Sequence, residues 1–194
     1  MVTTRNTRAD VVEAAGRLFA SRGYHGTSMR DLGKELGLLG SSLYSHVDSK
    51  QDLLVEVVEE GARLFEASAA EALAIAGSAA DRLHALIFGH VDVVLDNLDI
   101  ARTFLNEARM LDAEHRARIL AARDHYEEAF RSVIREGIGD GSFAAETDPK
   151  TASIFILSML NAIERWYHPD GEIDRDGLVD RLSGFARSAL GASP

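Results

Sequence analysis

A single glycine set between two short helical patterns is what most limits the folds open to this chain. In residues 27–50, TSMRDLGKELGLLGSSLYSHVDSK, Ser28 and Asp31 stand three apart. At that spacing a hydroxyl and a carboxylate satisfy the free N–H groups of a helix's first turn. Met29, Leu32 and Leu36 then share one face. Gly37 can take a positive φ and turn the chain sharply. Leu38, Leu39, Leu43 and Val47 give the next segment a narrow apolar stripe, with Gly40, Ser41, Ser42, Tyr44 and Ser45 facing away, and Ser49 with Asp52 repeats the helix-opening signal. Two short helices joined by a turn containing Gly describe a helix-turn-helix, whose second helix can enter a DNA major groove. Small hydroxyl residues and one Tyr on its outward side suit close approach to base edges and phosphate.

This stretch resembles the TetR family of bacterial transcriptional regulators, whose pattern here is Gly-x-x-x-x-Ser-Leu-Tyr-x-His-Phe. Gly37, Ser42, Leu43, Tyr44 and His46 match it, and Ser49-Lys50 followed by Leu53-Leu54 matches the start of the family's fourth helix. Upstream, the likeness runs through Ala14-Ala15, Leu18-Phe19-Ala20, Gly23-Tyr24, Gly26-Thr27-Ser28 and Arg30-Asp31-Leu32. Val47 departs from the usual aromatic, Leu39 from a common Ser or Thr, and Gly40 from a common basic residue. The resemblance implies that Ser41, Ser42, Tyr44, Ser45 and His46 contact DNA, while Thr27, Ser28 and Lys50 fix the head on phosphates. Lys50 sits in a first turn, where positive charge opposes the helix dipole, so a phosphate contact explains it better than an idle surface position does.

Charge is divided to match. The chain carries a net charge of -10, yet residues 1–50 hold 7 Lys and Arg against 5 Asp and Glu, leaving 14 against 26 for the rest. An acidic body behind a mildly basic head repels phosphate except at one face, although a plain solvated surface explains the acidity equally well. With no cysteine, disulfides and thiolate metal sites are excluded. No apolar run reaches the ~20 residues of a membrane span and the first residues lack a signal-peptide core, so a soluble, cytoplasmic protein with no membrane partner is expected.

The remaining pattern is helical throughout. A first helix over 5–22 ends at Gly23, with Arg5 and Arg8 in its loose beginning, where short basic arms can reach DNA or simply stay solvated. From Ser49 a rod of about 25 residues, roughly 38 Å long, runs to about Ala76. Helices follow over 80–98, 100–111 and 113–137, with a turn at 137–143. Asp148 and Pro149 then open a helix running to about Tyr167, and a last amphipathic helix covers 174–190. The predicted fold is all-α: an N-terminal three-helix helix-turn-helix DNA-binding domain over 1–48, then a six-helix ligand-binding and dimerisation domain over 49–194. Residues 154–163 are apolar nearly all round and demand burial on more than one side. Beside the amphipathic last helix they suit a homodimer built on a four-helix bundle, the alternative being burial within one subunit's core. Two heads about that axis would read a palindromic operator on double-stranded DNA.

No catalytic, metal or cofactor site is expected. The seven histidines contain no i, i+3 or i+4 pair, and there is no His-Glu-x-x-His, Gly-x-Ser-x-Gly or phosphate-cradling glycine loop. A small-molecule effector site is the better reading of the body. Phe88, Val91, Leu95, Phe104, Tyr126, Phe130, Phe155 and Met159 supply apolar walls, though each alone reads as ordinary core. Asn106, Arg109, Arg165 and Trp166 are polar or amphipathic groups set among them, as are Glu107 and Arg102; surface ion pairs account for them as well. The run Arg165-Trp166-Tyr167-His168-Pro169-Asp170-Gly171 resembles a segment of TetR-family regulators of fatty-acid and steroid breakdown that respond to acyl-CoA thioesters. That resemblance implies an acyl-CoA effector, its anionic portion held by Arg102, Arg109 or Arg165. The expected function is a homodimeric repressor released from its operator by that effector. The rival is a helical ligand- or protein-binding dimer that no longer binds DNA, suggested by Leu39, Gly40 and the net acidity.

Overall fold

The structure, a computed structural model, describes residues 7–38, 43–44 and 47–192. Among the described residues every regular element is helical. The helices are α1 (Arg8–Arg22), α2 (Met29–Glu35), α3 (Lys50–Ala74), α4 (Ala79–Asp96), α5 (Leu98–Glu107), α6 (Ala113–Asp140), α7 (Pro149–Asn161), α8 (Ile163–Trp166) and α9 (Arg175–Ala189), with a 3₁₀ turn at Ala108–Met110. The third helix expected over 38–47 falls mostly outside the described residues.

Helix starts are set by short-range polar pairs. Ser28 and Asp31 form the expected capping box, and Thr7 with Asp10 forms another at the start of α1. Arg8 is therefore helical rather than loose, and its Nε and Nη2 donate to Glu56 at 2.9 and 2.7 Å. Asp148 caps α7 ahead of Pro149, and Asp174 caps α9. Helix α6 continues three residues past the expected stop at Gly137. The long eighth helix read from sequence is broken: Ala162 N–H bonds Met159 O at 3.2 Å, a tightened turn that separates α7 from the four-residue α8.

The chain packs as two compact units. The first comprises Met1–Arg63 and Asn97–Leu120, so α5 folds with the N-terminal helices. Val11, Ala15, Leu18, Phe19, Leu32, Leu43, Leu53, Leu54 and Val57 form its core, and Val47 fills the aromatic's place while staying buried. At Gly16, where α1 passes α5, a Cβ would meet Ile100 Cγ1 and Val57 Cγ1 at ordinary contact distance, 3.6 Å each. A Cβ on Gly61 would stand 2.6 Å from Phe104 Cβ, so that site on α3 accepts only glycine without a shift.

The second unit comprises Leu64–Asp96 and Ala121–Pro194. Leu83, Leu86, Ile87, Val91, Phe130, Ile134, Leu160, Ile163, Leu178 and Ala186 make its core. Arg175 ties the start of α9 to α4, donating to Asp92 Oδ1 at 2.9 Å and to both oxygens of Asp96. Ile154 and Phe155 on α7 and Phe185 on α9 stay exposed beside buried Ile156 and Leu160. No helix of the described residues is long and apolar enough to cross a membrane.

Candidate nucleic-acid interface and effector site

The turn between α1 and α2 is tied down by buried and half-buried polar groups. Thr27 is 1% exposed, and its hydroxyl donates to Leu18 O at 3.2 Å and Gly23 O at 3.0 Å. That hydroxyl is committed to the fold, which corrects its assignment to phosphate. Lys50 is likewise structural: Nζ donates to Tyr24 O at 3.0 Å and Thr27 O at 2.8 Å and lies 4.1 Å from the centroid of the Tyr24 ring. Charge-assisted bonds to two turn carbonyls, plus a ring face, outweigh the unfavourable helix dipole there. Tyr24 is the hub, since its N–H reaches Glu107 Oε2 at 3.2 Å and its hydroxyl donates to Gln51 Oε1 at 2.8 Å.

Two expected DNA contacts are described and outward. Ser28 is exposed at the α2 cap, and Tyr44 is 55% exposed. Ser41, Ser42, Ser45 and His46 lie outside the described residues. Tyr44 borders an open groove of about 830 Å³ with Met29, Arg30, Asp31, Gly33, Lys34 and Leu38. Arg30 and Lys34 are exposed one turn apart on α2, and neither makes an ion pair among the described residues. Sequence reading missed both, although their i, i+4 spacing opposite Met29 and Leu32 marked them as a basic outer face. Two such cations and a phenol around one groove are suited to phosphate oxygens.

The thirteen candidate effector residues separate. Arg102, Phe104, Asn106 and Arg109 belong to the first unit, where Phe104 is core against Gly61, Asn106 Nδ2 donates to Arg102 O at 3.0 Å, and Arg109 is exposed. In the second unit Val91, Tyr126 and Phe130 are buried, Leu95 and Met159 half-buried, and Phe88, Phe155, Arg165 and Trp166 exposed. Arg165 Nε meets Glu164 Oε1 at 3.1 Å. Phe155 and Met159 leave the expected apolar wall and instead line a surface groove of about 240 Å³ with Ile156, Phe185, Ala186 and Leu190.

Tyr126 and Phe130 do come together, with ring centroids 5.5 Å apart, alongside Phe65 and His90. His90 is 1% exposed and its Nδ1 lies 3.1 Å from the Tyr126 hydroxyl. Sequence reading passed it over because Leu86, Ile87, Val91 and Val94 make its face read as plain core. Burial pushes Tyr126 above the usual phenol range and pulls His90 down from 6.5 to about 3. The folded state thus refuses a proton that the unfolded state accepts below pH 6.5, so stability is full above 6.5 and declines as pH falls toward 3. Between pH 7 and 5 the wild type should lose about 2 kcal/mol more than His90→Gln in urea titrations, and equal losses would exclude a buried neutral imidazole.

Among the described residues no group of three or more His, Asp or Glu side chains is placed to hold a metal ion. Two family descriptions match the chain: "Bacterial regulatory proteins, tetR family" over residues 11–57 and "Tetracyclin repressor-like, C-terminal domain" over residues 76–190. The HTH-type transcriptional repressor KstR2 of Rhodococcus jostii (strain RHA1) is 27% identical over 188 residues, covering 96% of this chain and 92% of that protein. Among solved structures, the TetR family regulator PfmR from Thermus thermophilus has a TM-score of 0.83 at 30% identity, covering 95% of this chain and 98% of that one. AibR, solved in complex with isovaleryl coenzyme A and operator DNA, has a TM-score of 0.84 at 27% identity, covering 92% and 96%.

Proposed function

The chain belongs to the TetR family of bacterial regulatory proteins, transcriptional regulators rather than enzymes, and from that premise we propose that it is a homodimeric repressor released from its operator by an acyl-CoA-type effector. Residues 1–48 form the DNA-binding domain, and residues 49–194 the ligand-binding and dimerisation domain. This is a division of task, distinct from the two units of packing. Ser41, Ser42, Tyr44, Ser45 and His46 read the groove, with Ser28, Arg30 and Lys34 on the flanking phosphates, while Thr27 and Lys50 hold the turn behind them. The observation that carries this assignment is the exposed Tyr44 ring sharing a groove with Arg30 and Lys34.

For the effector, the support is twofold. The AibR relative is solved with isovaleryl coenzyme A. Val91, Tyr126 and Phe130 give the second unit a buried apolar wall fit for an acyl chain. Binding favours a state whose heads no longer match the groove spacing, and the population leaves the operator by that difference in affinity. The dimer partner is a second copy, seated on the exposed apolar face of α7 and α9, since such a face is costly to leave in water. Work on operator DNA is the support for reading the protein as cytoplasmic.

Gel shifts with the DNA flanking the chain's own gene test the head. Tyr44→Ala with Lys34→Ala should weaken binding about 100-fold, and Lys34→Ala alone should lower the salt slope by about 1. Wild-type affinity in the double variant would remove the groove from the interface.

A further inference from the structure

We propose that the His90 imidazole is the polar anchor of a small-molecule site in the second unit, one that takes an apolar ligand bearing a hydroxyl group. The inference rests on the reading of residues 49–194 as effector-binding and narrows the chemistry of what binds there.

His90 is 1% exposed, yet its Nε2 makes no hydrogen bond among the described residues. Natural folds rarely retain a buried polar atom in that condition unless a ligand or water completes it. The other ring nitrogen is fixed, 3.1 Å from the Tyr126 hydroxyl, so the ring cannot turn to satisfy Nε2 without giving up that bond. Around it the surroundings are aromatic: the Phe65 centroid lies 4.9 Å and the Tyr126 centroid 6.0 Å from that of His90, and Phe130 packs on Tyr126. One directed polar atom among rings is the pattern by which an apolar pocket orients a mostly apolar ligand.

The chemistry of the missing partner follows from the neutral ring. If Nδ1–H donates to the Tyr126 oxygen, Nε2 is a bare acceptor; if the Tyr126 hydroxyl donates to Nδ1, Nε2–H is a donor without an acceptor. A hydroxyl can both give and take a hydrogen bond, so it completes either tautomer. A carboxylate is disfavoured, because burial holds this histidine uncharged and an anion would enter without a counter-charge.

Phenol and toluene share a shape and differ in the hydroxyl, which makes them suitable probes for calorimetric titration of the full chain without DNA. The wild type should bind phenol about tenfold more tightly than toluene, and the ¹⁵N resonance of His90 Nε2 should move on saturation with phenol and not with toluene. In His90→Leu the preference should vanish while toluene still binds, which also reports a folded site. Should that variant not fold, the wild-type Nε2 resonance decides alone. Equal affinities, no binding of either probe, or an Nε2 signal already at its hydrogen-bonded position and unmoved by phenol, as for a trapped water, would overturn the proposal. Operator binding does not enter, so loss of the repressor reading would appear separately, in the gel shift.

Discussion

Glutamate at both Phe155 and Phe185 is expected to yield a folded monomer that binds its operator about a thousandfold more weakly. The two rings are 69% and 65% exposed and line one apolar groove on α7 and α9, with Ile154 exposed on α7 as well. Fully burying one Phe side chain contributes about 1.5–3 kcal/mol. In an isologous pair each ring counts twice, and since each is already about a third covered in the subunit, the four rings supply about 4–8 kcal/mol of the association. Carboxylates in their place would reverse the sign, since burial without a partner is strongly unfavourable. The fold itself should survive, because neither ring belongs to the subunit's own core. A single head then recognises one half-site, and most of the margin between specific and non-specific binding is lost. Sedimentation velocity and a gel shift on the same preparation check both parts. A dimer persisting at micromolar concentration would place the subunit contact on another face.

The same face shows where sequence stops being informative. Residues 154–163 read as needing burial on more than one side, because the apolar run leaves no polar stripe for solvent; in the subunit Ile156, Leu160 and Ile163 are buried while Ile154 and Phe155 stay exposed. Which side chains turn inward was not legible. Phe155 and Met159 read as walls beside Tyr126 and Phe130, and only packing separates them, since hydrophobicity carries no direction. The break at Ala162 had no local signal either, with neither Gly nor Pro at the site. By contrast, the capping pairs at Ser28–Asp31 and Asp148–Pro149 were legible because both partners lie within one turn. Lys50 marks the opposite case. Its partners are backbone carbonyls 23 and 26 residues earlier, and no local rule anticipates them, so its charge at a helix start pointed outward to phosphate. His90 was hidden for a related reason: its neighbours spell an apolar face, and the one polar atom that matters is visible only once the partners of Nδ1 and Nε2 are known.

Gly137 stands where the turn expected over 137–143 put the end of a helix, yet α6 passes through it to Asp140. Its role is space. A Cβ there would stand under 3.0 Å from three atoms of the Phe143 ring, which is 3% exposed, while Phe143 N–H bonds Gly137 O at 2.9 Å. The ring is thus held against the helix backbone from both directions and cannot withdraw by a rotamer change alone. Gly137→Val is therefore expected to destabilise the second unit by about 3 kcal/mol, at the upper end for overpacking and near the cost of deleting a buried ring. For a chain of this size that lowers Tm by roughly 6–12 °C. Backbone propensity acts in the other direction, because glycine inside a helix is itself unfavourable by about 1 kcal/mol, so an unexplained gain would show as stabilisation. Phe143→Ala separates the two effects. Alone it should cost about 3 kcal/mol, but combined with Gly137→Val the losses should fall well short of additive, since the valine then fills room the ring has vacated. Additive losses in thermal melts of the four proteins would mean that glycine serves the helix backbone there and not the ring.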